Sequence, residues 1–286
     1  MLSAVRVFLA GATGAIGRRV LPQLIAGGHT VTAMVRSPEG ARTVEQAGAT
    51  AALADAMDAG AVRKAVLAAR PEVLMHQLTA LSSFDFAANA ALRVDGTRHL
   101  ADAAEEAGTG RFIAQSICWV YEPGDAPATE REPLDQQAAS GPVPAVAELE
   151  AQTARSPEWV VLRYGQLYGP DTWYAPGGAF GQMAREGRLT ATADVASFVH
   201  VDDAAAAAMA ALHWPTGIVN VCDDVPATGL EWVPAFCAGV GAPPPPASDA
   251  PRSATARGAD NTLARATLAW VPRWTSWRQG FAALSG

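Results

Sequence analysis

The first half of the chain alternates short apolar runs with alanine-rich stretches of helical periodicity. Arg6–Ala10 is an apolar run of the kind that fills a buried parallel strand. Gly17–Ala26 carries apolar residues at helical spacing and stops at Gly27-Gly28, which predicts a helix. Thr30–Val35, Val73–Leu78, Arg111–Ser116 and Trp159–Arg163 read as further strands. Ala59–Ala69 and Asn89–Ala107 read as helices between them, the second stopped by Gly108. Strands joined through helices predict an α/β fold, a Rossmann-type doubly wound parallel sheet. In such a sheet ligands lie at the carboxyl ends of the strands.

Near residue 170 the pattern changes: Gly, Pro and Trp become frequent and the alternation weakens. Gly241-Ala242 followed by Pro243 to Pro246 predicts a stiff extended segment, and Ser248–Gly258 an exposed loop. The expected organisation is a dinucleotide-binding domain over 1–170, with 195–222 returning to it. A smaller substrate-binding lobe over 171–194 and 223–286 would cover the ligand crevice.

Composition narrows the class. A chain of 286 residues, half of them hydrophobic, can bury a large core. Its net charge of −7 argues against nucleic acid as a partner. No apolar stretch is long enough to span a membrane, and the start lacks a signal-peptide pattern, so a cytoplasmic location is expected. Cys118, Cys222 and Cys237 are not in metal-ligand spacing and are expected to be buried thiols.

The chemistry begins at Gly11-Ala12-Thr13-Gly14-Ala15-Ile16-Gly17, a glycine loop between a predicted strand and a predicted helix. Glycines there allow a tight turn and a close approach to a pyrophosphate, which the helix start attracts. The next strand ends at Val35-Arg36-Ser37, where NAD-preferring versions of the fold carry an acid for the ribose hydroxyl. Arg36 instead offers a planar cation, and Ser37 a hydroxyl, for a 2′-phosphate; the expected cofactor is NADP(H).

Several further pieces, in order, resemble the extended, epimerase/dehydratase-like branch of the short-chain dehydrogenase/reductase superfamily. Besides the glycine spacing these are Ala54-Asp55-Ala56, His76-Gln77-Leu78-Thr79-Ala80 and Gly96-Thr97 through Ala103-Ala104. Val161-Leu162-Arg163 through Tyr168-Gly169-Pro170 and Phe198-Val199-His200-Val201-Asp202-Asp203 complete the set. The resemblance implies cofactor contacts at Gly11, Thr13, Gly14, Ala15, Ile16, Gly17, Arg36, Ser37, Asp55, Ala56, Leu78, Thr79 and Ala80. It implies others at Tyr164, Gly165 and Leu167.

The chain departs from that family at its catalytic centre. The family's Tyr-x-x-x-Lys pair belongs on the helix after the strand ending at Ser116, but Ser140 to Glu150 contains neither residue. No tyrosine lies between Tyr121 and Tyr164, and Lys64 is the only lysine. The asparagine the family often places four residues before the helix threonine is Arg93 here. Hydride delivery depends on positioning and electrostatics, which such a platform retains. A proton, where needed, would come from Ser116, Tyr121, Tyr164 or Tyr168, from water, or from a phenol on the substrate. Ser116 and Tyr121 are the catalytic candidates.

Trp119, Trp173, Tyr174 and Phe180 are candidate walls for a flat aromatic ligand. Together these features resemble atypical ketoreductases of angucycline-type polyketide pathways. The expected activity is NADPH-dependent reduction of a ketone on a bulky aromatic metabolite. Two alternatives stay open: an NADP(H)-binding redox sensor, and an epimerase- or dehydratase-like enzyme acting on a sugar nucleotide. Relatives often dimerise through the helices corresponding to Asn89–Ala107 and Val143–Ala154, and Pro142 and Pro144 alter the second, so a monomer or a homodimer fits. His76 is expected to pack in the core, and His200, Asp202 and Asp203 to be structural rather than metal ligands. Glu148 and Glu150 are expected on a solvated helix face.

Overall fold

A computed structural model describes residues 4–81, 84–138 and 140–285. Met1, Leu2 and Ser3, part of the start read for a signal peptide, lie outside the described residues.

The expected alternation is present. In chain order the first elements are β1 (Arg6–Ala10), α1 (Gly17–Ala26), β2 (Thr30–Val35), α2 (Pro38–Gln46), β3 (Thr50–Leu53), α3 (Ala59–Ala69) and β4 (Val73–His76). There follow α4 (Phe86–Ala91), a π-helical turn (Leu92–Gly96), α5 (Thr97–Glu106), β5 (Arg111–Ile117), α6 (Val143–Thr153) and β6 (Glu158–Tyr164). The later elements are β7 (Gln166–Tyr168), α7 (Ala179–Arg185), β8 (Val195–Ala196), β9 (Phe198–His200), α8 (Val201–Ala210) and β10 (Gly217–Val221). Last come β11 (Ala227–Thr228), α9 (Gly229–Gly239) and α10 (Trp277–Ala282). Seven strands form a parallel sheet in the order β10-β6-β5-β4-β1-β2-β3, the doubly wound arrangement the alternation predicts.

β1 sits inside the sheet, and Val7, Phe8, Leu9 and Ala10 are all buried, as a strand covered on both faces requires. Its register aligns Ala10 with Met34 of β2 and His76 of β4. The strand ends that precede the glycine loop, Arg36 and Gln77 therefore lie side by side. α1 turns Val20, Leu21 and Leu24 into the core, each stabilising the fold by about 2 kcal/mol. Ser37 caps α2 by accepting from the Gly40 N–H at 3.1 Å, with Pro38 opening the helix. Asp58 caps α3 through the Ala61 N–H.

The chain divides into two compact units. The first comprises Met1–Ser116, Ala138–Leu162 and Ala208–Ile218; the second Ile117–Gln137, Arg163–Ala207 and Val219–Gly286. The first holds a core of sheet and helix residues that includes Phe8, Met34, Leu74, Leu100, Phe112 and Leu149. The second holds an aromatic cluster of Tyr168, Tyr174, Phe198, Phe236, Trp277 and Phe281.

Three readings of the sequence need correction. The helix expected over Asn89–Ala107 is two helices joined by the π-helical turn Leu92–Gly96. Gly96 is tightly packed there: a Cβ would lie 2.7 Å from Leu92 Cδ1. The strand expected to reach Leu78 ends at His76, because the Leu78 N–H turns back to His76 Nδ1 at 3.2 Å. In the loop expected to be exposed over Ser248–Gly258, Arg257 is buried. It pairs with Glu132 and donates to the Ala126 carbonyl at 2.5 Å and the Glu122 carbonyl at 3.2 Å.

Candidate functional site

Chain geometry forces glycine at two positions of the loop after β1. Gly11 has φ +95°, and a Cβ on it would lie 2.6 Å from the Gln77 carbonyl carbon. On Gly17 a Cβ would fall 2.0 Å from the Gly11 carbonyl oxygen. The loop is thus pressed against the end of β4, while Thr13 and Gly14 at its crest are exposed. α1 begins at Ile16 with no side-chain cap and no acidic residue in its first turn, so its free N–H groups face no anion of the protein's own. Beneath the loop, the Gln77 amide is buried with neither its nitrogen nor its oxygen hydrogen-bonded. An uncapped helix start, a loop that only glycine permits at 11 and 17 and an orphaned amide suit a dinucleotide pyrophosphate and ribose.

The other expected cofactor residues of the first unit follow the carboxyl ends of adjacent strands. Arg36 is exposed after β2 and, among the described residues, makes no ion pair. Ser37 beside it already accepts a hydrogen bond as a helix cap. Asp55 is exposed after β3, its carboxylate accepting the Met57 N–H at 2.9 Å, and Ala56 is buried. After β4, Leu78, Thr79 and Ala80 form a pinned edge. Gln115 Nε2 donates to the Leu78 carbonyl at 2.9 Å, and the Ala80 N–H donates to Asn89 Oδ1 at 3.0 Å.

At the end of β5 the Ser116 hydroxyl, 3% exposed, donates to Glu150 Oε1 at 2.8 Å. Glu150 stands on α6 in the segment where the family would place its Tyr-x-x-x-Lys pair. It is buried, which overturns its expected place on a solvated face; Glu148, two residues away, is half-buried and accepts from Gln152. Arg93 reaches the same region from the π-helical turn, which packs on α6. Burial pushes its guanidinium down to about 10, against the pull of the Glu150 charge, so it stays cationic at neutral pH. His76 completes the buried polar group as a packed core histidine. Its ring bonds Thr97 Oγ1 at 3.0 Å, and burial with the Arg93 charge lowers it to about 4, leaving it neutral. Since Nδ1 accepts from Leu78, Nε2 carries the proton and donates to Thr97.

The second unit holds the remaining candidates. All four tyrosines of the chain are buried there. Tyr121 donates to Asn220 Oδ1 at 2.5 Å and lies under the Arg163 guanidinium, 4.7 Å from its ring centre. Tyr164 donates to the Ala204 carbonyl at 3.3 Å. Tyr168 and Tyr174 belong to the aromatic cluster. Burial raises the phenol pKa of Tyr121, Tyr168 and Tyr174 far above neutrality. Gly165 is held so close to Ser197 that a Cβ would lie 2.8 Å from its carbonyl oxygen, and Leu167 pairs with Val199 in a parallel ladder.

Of the four expected aromatic walls, three come together. Tyr174 stacks on Phe180 with centroids 4.3 Å apart, and Trp173 lies 6.2 Å from Phe180. Tyr174 itself is interior to the cluster, while Trp173 and Phe180 are half-buried at its margin. Trp119 stands apart from that cluster and is 41% exposed. His200 Nδ1 accepts the Asp202 N–H, and the Asp203 carboxylate accepts the N–H groups of Arg273 and Trp274 at 2.9 Å each. Burial also drives the Cys118 thiol up to about 12, so it is inert.

Residues 11–201 match the family model described as NAD(P)H-binding. The chain belongs to the NAD(P)H-binding family. The solved structures it is similar to agree in fold with the short-chain dehydrogenase/reductase resemblance of its motifs. It is similar to a Streptomyces "3-diazoavenalumate denitrifying reductase", 44% identical over 307 aligned positions covering 96% of this chain and 98% of that protein. Its fold is similar to that of the Bordetella bronchiseptica enzyme WbmG, solved with NAD and UDP (TM-score 0.79, 23% identity, 99% and 95% covered). It is also similar to that of a Thermotoga maritima UDP-glucose 4-epimerase solved with UDP-glucose (TM-score 0.78, 20% identity, 98% and 97% covered). This member of the NAD(P)H-binding family is an oxidoreductase that takes a nicotinamide cofactor.

Two features of the site were missed in the sequence. In the sequence Gln77 stands out only as part of a motif; its place directly after the in-facing His76 at the end of β4 is the available signal. Arg93 reads in sequence as standing in for the family's asparagine and Glu150 as a surface residue; only packing of α6 on the π-helical turn brings them together.

Proposed function

We propose that this protein uses NADPH to remove the diazo group of an aromatic acid reductively, replacing C–N₂ by C–H. One observation carries the reading: among the described residues of the chain, none of the candidate donors is presented to a nascent alkoxide. Its four phenols are buried in the second unit, its one lysine is exposed on α3, and the Ser116 hydroxyl proton is held by Glu150. A carbonyl reductase must neutralise a developing oxyanion, usually through a positioned donor. A hydroxyl whose proton is engaged by a carboxylate can offer a ligand only its lone pairs. An arenediazonium needs no donor, because it starts as a cation and loses dinitrogen.

The bound cofactor would supply a hydride at this edge of the sheet, held by the loop at Gly11–Gly17, by Arg36 and Ser37 at the 2′-phosphate, and by Asp55 and Leu78–Ala80. The net conversion balances with no proton from the protein: an arenediazonium cation and a hydride give the arene and dinitrogen, the C–N electron pair leaving with nitrogen. The full-length similarity to a denitrifying reductase supports the same reading. The test is anaerobic NADPH oxidation with 3-diazo-4-hydroxycinnamate. One equivalent of dinitrogen per NADPH is expected, with deuterium from [4-²H]NADPH on the ring carbon that bore nitrogen. NADPH binding without diazo loss would sink the reading and leave a redox sensor.

A second reading is reduction of a phenolic polyketide ketone whose own phenol delivers the proton. It is favoured by the half-buried Trp173 and Phe180 at the margin of the aromatic cluster, which suit a flat ligand. NADPH consumption with hydroxylated polycyclic ketones, and none with diazo acids, would select it.

A further inference from the structure

We propose that Arg93 is an anion-binding residue that takes a phenolate or carboxylate oxygen of the aromatic substrate. Its guanidinium is only 9% exposed, yet among the described residues it makes no hydrogen bond. Its nitrogens are not among the fully buried unpartnered atoms of the described residues, so the fork stays open to solvent and to an incoming acceptor. Glu150 supplies charge balance, but its Oε1 already accepts from Ser116. His76 offers nothing to Arg93, since one ring nitrogen donates to Thr97 and the other accepts from Leu78. The fork is therefore charged, preformed and waiting for an acceptor that the protein does not provide.

The backbone that carries it is irregular. Leu92–Gly96 is a π-helical turn between two α-helices, a distortion that costs hydrogen-bond geometry and concentrates at functional sites. A planar guanidinium prefers oxyanions that can accept two of its N–H groups, which fits the oxygen of an aromatic acid. The inference rests on the diazo-acid reading for its substrate class.

The experiment titrates the NADP⁺-bound protein with three probes that cannot react: 4-hydroxycinnamate, its methyl ester and 4-methoxycinnamate. Tight binding of 4-hydroxycinnamate is expected, with a loss on the order of 10- to 100-fold for whichever probe lacks the recognised oxygen. Loss with the ester assigns the carboxylate, and loss with the methoxy compound assigns the phenol. Arg93→Met should remove the discrimination and leave the Kd for NADPH unchanged, while Arg93→Lys restores part of it. Should Arg93→Met fail to fold, the three probes on the unaltered protein still decide. Equal binding of all three, or of none, overturns the inference, as does a matching rise in the NADPH Kd, which would give Arg93 to the cofactor. Continued diazo turnover in any of those cases leaves the functional reading standing; its absence removes both.

Discussion

Ser116 donates its hydroxyl proton to Glu150 across 2.8 Å, with both side chains buried. On the diazo-reduction reading that direction costs nothing, because no carbonyl oxygen needs a proton. A serine serving a carbonyl oxygen must donate, and here the donor is spent. Ser116→Ala should therefore keep diazo turnover within about tenfold of the unaltered enzyme, whereas loss of a true acid typically costs about 10²–10⁴-fold. Unfolding should show a cost of about 1–3 kcal/mol, because Glu150 loses a buried donor. A drop in kcat of a hundredfold or more would make Ser116 the acid and favour the ketone reading.

The Gly17 position tolerates no side chain. A Cβ there would lie 2.0 Å from the Gly11 carbonyl oxygen, a backbone atom that cannot step aside. Gly17→Ala should displace the loop, lower the melting temperature and weaken NADPH at least tenfold, whereas Gly28→Ala, with open space around it but φ +80°, should cost only about 1 kcal/mol and leave binding intact. Fluorescence titration of NADPH alongside thermal melting separates the two effects. Equal NADPH affinity in both variants would remove the loop from the cofactor site.

Arg36 is exposed and makes no ion pair among the described residues, so its removal should not touch the fold. Arg36→Ala should raise the Kd for NADPH by about 1.5–3 kcal/mol, or roughly 10- to 100-fold, and leave NADH nearly unchanged. Equal effects on the two nucleotides, read by titration at one fixed salt concentration, would overturn the preference for NADP(H).

Tyr121 and Asn220 make a structural pair. Asn220 also donates to the carbonyls of Ala128 and Asp260, so its side chain ties the 121–137 loop to the 260 region within the second unit. Tyr121→Phe should cost about 0.5–1.5 kcal/mol of stability and keep turnover close to that of the unaltered protein. Loss of activity with unchanged stability would return Tyr121 to the list of acids.

Asp223 is 1% exposed, and one of its carboxylate oxygens has no partner. Burial, then the charges of Asp224 and Asp203, raise its pKa from 3.8 to about 8 against two hydrogen bonds that lower it. The folded protein therefore holds a proton that the unfolded chain releases near pH 4. By linkage, this group's contribution is fully favourable below about pH 4 and is lost as pH rises to about 8. Denaturation between pH 5 and 8.5 should show stability falling with pH, and Asp223→Asn should flatten that slope. An unchanged slope would mean that Asp223 is ionised in the fold.

Local pattern alone determined much of this protein. The apolar run at Arg6–Ala10 and the Gly27-Gly28 stop act over a few residues, so the strand and helix they define needed no tertiary information. Glycines at 11, 14 and 17 marked the cofactor loop for the same reason, since the turn and the pyrophosphate both act on backbone. The sequence also established an absence, because a missing Tyr-x-x-x-Lys pair and a single lysine hold in any alignment. What replaces them was decided only in three dimensions. The direction of the Ser116 hydroxyl depends on α6 bringing Glu150 to the end of β5. The idle Arg93 fork depends on a π-helical turn that one extra residue per turn creates and that no helical periodicity announces. The engagement of Tyr121 by Asn220 joins residues 99 positions apart. Hydrogen-bond direction and burial are properties of neighbours distant in sequence, and those neighbours are chosen by packing.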